Sequence, residues 1–131
     1  MDLPIAILRT DTSNRPSTND QTSKPIYSAM CHVQEKYADE IDEKEPSKSY
    51  GMSYSYFSRS FKRVTGMTFR DHLNRTRISN AERFFQNGCS VSEAATACGY
   101  NSISYFISVY RSITGNTPYK ALKRQNGTRV R

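Results

Sequence analysis

No stretch of this chain approaches the about 20 consecutive apolar residues that a membrane-spanning helix needs. The brief apolar run from Leu3 to Leu8 has no basic region before it and is too short for a secretory signal, so a cytoplasmic location and no membrane partner are expected. Cysteine is scarce. Cys31, Cys89 and Cys98 form an odd set without a Cys-x-x-Cys pair, which argues against a disulfide framework and against a zinc site. Cys98 falls at an apolar position and reads as core, while Cys89 beside Gly88 reads as loop. His32 and His72 stand alone and are expected on solvated surface. A glycine-rich phosphate loop, a paired-acid constellation and metal-ligand spacing are all missing, so neither an enzyme, a metal nor a cofactor is expected. Strand periodicity is missing too.

Acidic residues are rare in one part of the chain. Residues 54–131 hold 13 Lys+Arg against 3 Asp+Glu, a net of +10, whereas residues 1–53 carry a net of −3. A polyanion is therefore expected to meet the chain from residue 54 onward. The 131 residues suit one domain of ordinary size, and 36% hydrophobic content suits a lean helical core with polar tails.

What is present is a repeat. Residues 56–68 and 105–117 both reduce to Tyr-Phe-x-x-x-(Phe/Tyr)-(Lys/Arg)-x-x-Thr-Gly-x-Thr, with every matched position 49 residues apart. One architecture used twice is the simplest source of such a pattern.

The apolar spacing predicts an all-α fold of about seven helices. Residues 9–25, rich in Thr, Ser, Asn, Asp and Pro, lack apolar periodicity, so residues 1–25 are expected to be a flexible arm. Ile26, Met30, Val33, Tyr37 and Ile41 predict a first amphipathic helix. Ser53 can cap a helix carrying Phe57, Phe61 and Val64, which Gly66 stops. Thr68 with Asp71 opens a long helix that runs to Gly88 through Phe69, Leu73, Ile78, Ala81, Phe84 and Phe85. Ser90-x-x-Glu93 is a capping box ahead of Val91, Ala94, Ala95 and Cys98. After Gly99, a helix from about Ser102 to Ile113 turns Phe106, Tyr110 and Ile113 inward and ends at Gly115. Thr117-Pro118 opens a short last helix, and residues 125–131 read as a basic tail.

Residues 90–113 thus have the form of a helix-turn-helix, and the repeat implies a second unit around 42–65. The expected organisation is a domain over 26–124, with a first unit at 26–66, a linker helix at 67–88 and a second unit at 89–124. A linker helix over 69–87 is about 28 Å long at about 1.5 Å per residue. Successive major grooves on one side of B-DNA lie about 34 Å apart. A rigid rod of that length can hold two recognition helices in successive grooves, so a monomer is expected to bind double-stranded DNA as a fused dimer would.

The runs Gly51–Leu73, Arg77-Ile78, Val91–Phe106 and Thr114–Pro118 resemble the AraC/XylS family of bacterial transcription regulators. The likeness extends over roughly residues 26–124 and includes both units, the linker helix and the terminal Thr-Gly-x-Thr-Pro. It implies two helix-turn-helix units, and activation of transcription from near a promoter in contact with RNA polymerase. Many members also carry an effector-sensing and dimerisation domain. With 131 residues no such domain is expected here, so the chain resembles the small single-domain members or a detached DNA-binding domain.

The face of the first recognition helix opposite Phe57 and Phe61 carries Tyr54, Ser55, Ser58, Arg59 and Lys62, where the resemblance places groove contacts. Arg59 can pair with guanine O6 and N7, while Lys62 and Arg63 suit phosphates. The matching face of the second helix is Asn101, Ser102, Ile103, Ser104, Ile107, Ser108 and Arg111. Ser108 stands where the family often has arginine. Ile103 and Ile107 can touch a thymine methyl but cannot make bidentate pairs. Arg111 and the serine hydroxyls suit phosphates, and Tyr105 reads as core. In the first unit, Glu43 and Pro46 occupy slots where the family buries leucine, so its support helix is expected to be shortened, restarted at Pro46 or formed only on DNA. A rival expectation follows from that departure: a protein-interaction module, binding polymerase or another regulator, whose DNA recognition has weakened in one unit.

Overall fold

The computed structural model describes the backbone of residues 20–129 and the side chains of residues 23–124. The expected arm up to residue 19 and the last two residues of the basic tail lie outside the described residues. Among the described residues the chain forms seven helices and no strand. They are α1 (Asp20–Lys36), α2 (Glu45–Ser49), α3 (Tyr54–Thr65), α4 (Phe69–Gln86), α5 (Val91–Ala97), α6 (Ile103–Thr114) and α7 (Pro118–Arg129).

Most helix ends are set by short-range chemistry. The Ser53 hydroxyl accepts from Tyr56 N, Thr68 from Asp71 N and Ser102 from Tyr105 N, each satisfying a first-turn donor with no partner inside the helix. At α5 the capping box is complete: Ser90 Oγ accepts from Glu93 N, and the Glu93 carboxylate accepts from Ser90 N. Gly66 and Gly115 end α3 and α6 in the left-handed region, at φ 85° and 87°.

Three boundaries depart from the sequence reading. α1 begins at Asp20, so residues 20–25 are helix rather than arm. Pro25 lies inside α1, where it withholds one backbone donor, but its ring is fully buried, and that burial offsets the lost bond. α1 also ends at Lys36, leaving Tyr37 and Ile41 in the connection to α2. At the other end, α7 continues past Gln125 to Arg129, through Asn126, Gly127 and Thr128, whose weak helix propensity is what made a frayed tail the sequence expectation.

α2 resolves the question posed by Pro46. It is a single five-residue helix restarted there, with Pro46 in the first turn, where its missing N–H costs nothing. Its one buried residue is Ser47, whose hydroxyl donates to the Lys44 carbonyl at 2.8 Å.

Two apolar clusters form the core. The first joins Ile26, Ala29 and Val33 of α1 with Phe57 and Phe61 of α3 and Phe69 and Leu73 of α4. The second joins Ile78, Ala81 and Phe85 of α4 with the inner faces of α5 and α6, including Phe106, Val109 and Tyr110. Cys98 is buried there, and desolvation pushes its thiol up to about 11, so it is an inert core residue. α4 serves both clusters with different faces. At about 100° per residue, the five-residue step from Leu73 to Ile78 turns the apolar stripe by about 140°. The linker helix therefore shows no single apolar stripe along its length. Its 18 residues give a rod about 27 Å long with a unit on each end.

Candidate nucleic-acid interface

In each unit a short helix backs a twelve-residue helix that buries aromatic side chains on one side. On α3, Phe57, Ser60 and Phe61 are inward, and Ser55, Arg59, Lys62 and Arg63 are exposed. Arg59 donates from Nη1 to Ser55 Oγ at 2.7 Å, one turn back along the same face. Ser58 is half-buried at the edge of that face. Tyr54, also half-buried, donates its hydroxyl to Glu43 Oε1 at 2.8 Å. That hydrogen bond first, then burial and the carboxylate's charge, raises the Tyr54 phenol above its ordinary value and keeps it a donor.

Glu43 fills the slot expected for a leucine, and the structure gives it polar work. It accepts from Tyr54 and pairs with Arg70 of α4. Burial alone would lower the Arg70 pKa, but the charge of Glu43 and hydrogen bonding with Glu43 and Tyr105 outweigh it and raise it. Arg70 is 61% exposed, so the pair contributes little stability and serves mainly to orient the start of α3.

On α6, Ser104, Ser108 and Arg111 are exposed, as are Asn101 and Ser102 ahead of the helix and Ile103 at its start. Ser102 has its hydroxyl engaged in the cap. Two expectations change here. Ile107 is half-buried and packs against the second cluster, so most of it is withdrawn from the outer face. Tyr105 is not core: it is 44% exposed and accepts at its hydroxyl from Asn74 Nδ2 at 3.4 Å. Val109, one turn before the expected Ile113, takes the deeper inward position; Ile113 is half-buried. His72 is also not on solvated surface. Its ring lies 5.7 Å from that of Phe61, its Nε2 is buried without a protein partner, and burial lowers its pKa.

Between α4 and α6 runs a groove of about 380 Å³ lined by Asp71, Asn74, Arg75, Ser108 and Ser112, with Val109 and Ile113 at its floor. Arg75 is exposed at its edge beside Ser108. Among the described residues the one ion pair is Arg70–Glu43, so Arg59, Lys62, Arg63, Arg75 and Arg111 keep their charge free of carboxylate partners. Arg75 is not among the residues the sequence pointed to for this interface, since α4 reads there as a strut between the units. The signal was its place among the cations of the basic half. No group of His, Cys, Asp and Glu suited to a metal ion occurs among the described residues, and no helix there is long and apolar enough to cross a membrane.

A family model described as a helix-turn-helix domain matches residues 47–124, more than half of the chain. The chain belongs to this family, the AraC/XylS-type helix-turn-helix transcriptional regulators, and it carries their DNA-binding domain. An uncharacterised HTH-type regulator in the cgkA 5' region of Pseudoalteromonas carrageenovora is 31% identical over 99 residues, covering 76% of this chain. The transcriptional activator Btr of Bacillus subtilis is 34% identical over 95 residues, covering 69% of this chain. The chain spans 58% and 18% of those two proteins' lengths. Its fold matches the DNA-binding domain of AdpA, solved in complex with a target DNA, with a TM-score of 0.74 at 23% identity, over 82% of this chain and 97% of that one.

Proposed function

We propose that the protein is a sequence-specific activator, acting as a monomer in the cytoplasm, that seats α3 and α6 in successive major grooves of one duplex. The observation that carries this is the pair of outward faces, Arg59, Lys62 and Arg63 on one and Arg111 on the other, free of carboxylate partners among the described residues and mounted at the two ends of one continuous helix about 27 Å long. In this reading Arg59 is the chief base reader, through a bidentate pair with guanine. Ser55 and Tyr54 support it, and Lys62, Arg63, Arg75 and Arg111 hold phosphates. Ser104, Ser108 and Asn101 make weaker polar contacts, and Ile103 touches a thymine methyl. α6 is then the poorer reader, since Ser108 occupies the repeat position of Arg59. The solved complex of AdpA with its target DNA supports the DNA partner, and the activator Btr supports activation, for which a surface touching RNA polymerase is implied.

Selection of bound duplexes from a random pool tests this, with Arg59→Ala and Ser108→Arg in parallel. The native protein is expected to yield one strong and one weak half-site about one helical turn apart. Arg59→Ala flattens the strong half-site, and Ser108→Arg sharpens the weak one. Enrichment of no motif at moderate salt sinks the reading.

A further inference from the structure

The two apolar clusters sit on different faces of α4, and apolar contact is non-directional. Something directional must fix how far one unit turns about the helix relative to the other. A line of polar contacts crosses the boundary between them. Arg77, at the point where α4 passes from one cluster to the other, donates from Nε to the Tyr37 carbonyl at 2.7 Å and from Nη2 to the Asp39 carbonyl at 2.9 Å. Those carbonyls follow the end of α1 in the first unit. The same guanidinium lies 5.2 Å from the centre of the Tyr100 ring, in the turn of the second helix-turn-helix. The Tyr100 hydroxyl donates to Asn74 Oδ1 at 2.7 Å, and Asn74 Nδ2 donates on to the hydroxyl of Tyr105, the third residue of α6. Beside this line the backbones touch as well: a Cβ at Gly99 would stand 2.8 Å from the Ala38 carbonyl oxygen.

We infer that this seam, from Tyr37 and Asp39 through Arg77, Tyr100, Asn74 and Tyr105, sets the angle between the two recognition helices, and that through it the protein selects operators by the spacing of their half-sites. A turn of about 20° about α4 moves a recognition helix packed about 10 Å from its axis by about one base-pair rise, 3.4 Å. A planar fork held on two fixed carbonyls resists such a turn because hydrogen bonds weaken steeply with misalignment. Arg77 and Tyr105 are positioning residues in this scheme. The inference rests on the DNA-reading function proposed above.

The test uses Arg77→Lys, which keeps the charge but loses the fork, and Tyr105→Phe, which keeps the ring but loses the hydroxyl. Residual dipolar couplings of the free protein report the angle directly. The native units are expected to share one alignment tensor, and the variants, checked for a cooperative thermal transition, to need two. In parallel, binding is measured on duplexes carrying the selected half-sites at the native spacing and at one base pair more or less. The native protein is expected to lose about tenfold or more for either change, and the variants about threefold or less, with the base preferences inside each half-site intact. Folded variants that keep one tensor and the native spacing preference overturn the inference. So does a changed base preference with the tensor intact, which would make Tyr105 a base reader. A native protein without preference among duplexes defeats the DNA-reading function, while the couplings still decide whether the seam sets the angle.

Discussion

Arg59 rests one guanidinium nitrogen on the Ser55 hydroxyl, an intrahelical contact that is easily exchanged for a base edge. With Arg59→Ala, affinity for the selected site is expected to fall by about 1–3 kcal/mol, roughly 5- to 150-fold, while binding to unrelated duplex falls only a few-fold. Equal losses on both, in a fluorescence titration, would reduce Arg59 to a phosphate contact. His72 gives a prediction of another kind. Burial lowers its pKa below the ordinary 6.5, so between that value and its folded value the unfolded chain binds more protons than the folded one. Stability is thus unaffected by His72 above about pH 6.5 and falls as pH drops from there through the folded pKa. Urea midpoints from pH 7.5 to 5 should show the decline, and His72→Phe, which keeps a ring against Phe61, should flatten it. An unchanged slope in that variant would assign the decline to other groups. His72 was invisible in the sequence because its burial comes from Phe61 of the neighbouring helix, a contact that no local pattern encodes.

Helix ends were the legible part of the chain. Ser53, Thr68, Ser90 with Glu93, Gly66 and Gly115 all act within four residues of themselves, so their roles follow from local chemistry; the cap made by Ser102 is as local, though its face suggested a DNA contact. The start of α1 and the fate of α2 depend instead on distant packing: Pro25 is tolerated because it is buried, and Glu43 finds Arg70 across 27 residues. The interface divides the same way. The outward face of α3 was readable from the stripe of Phe57 and Phe61, whereas Ile107 packs against the second cluster and Tyr105 reaches Asn74 of α4, contacts between elements that the pattern within α6 does not encode. Gly99 tests how tightly the elements meet. Gly66 and Gly99 both have positive φ, so alanine at either suffers the same left-handed strain of about 1–2 kcal/mol. A Cβ at Gly66 has nothing within 4 Å, while one at Gly99 meets the Ala38 backbone. Gly99→Ala should therefore be the costlier by about 1–3 kcal/mol in urea unfolding. Equal costs would mean that the stretch after α1 yields without resistance.

At the scale of the whole molecule, the question is whether both ends of the α4 rod engage one duplex. Lys62 of α3 and Arg111 of α6 occupy equivalent positions in the repeat, both exposed and both free of carboxylate partners among the described residues. If each neutralises one phosphate, each contributes about 0.9 to the slope of log affinity against log salt. Lys62→Ala and Arg111→Ala should then each make the slope shallower by about that amount, and the double variant by about 1.8, because well-separated sites add. Sedimentation with a duplex of two helical turns should show one protein per duplex throughout. A molecule that seats only α3, with α6 left as a partner surface, responds to Lys62→Ala alone. A molecule that pairs on DNA shows two proteins per duplex, and each substitution then counts twice. The slope and the stoichiometry together separate these cases. One protein per duplex with equal, additive losses is what two unequal readers on a single rigid helix require, since phosphate contacts at both ends persist even where Ser108 stands at the repeat position of Arg59.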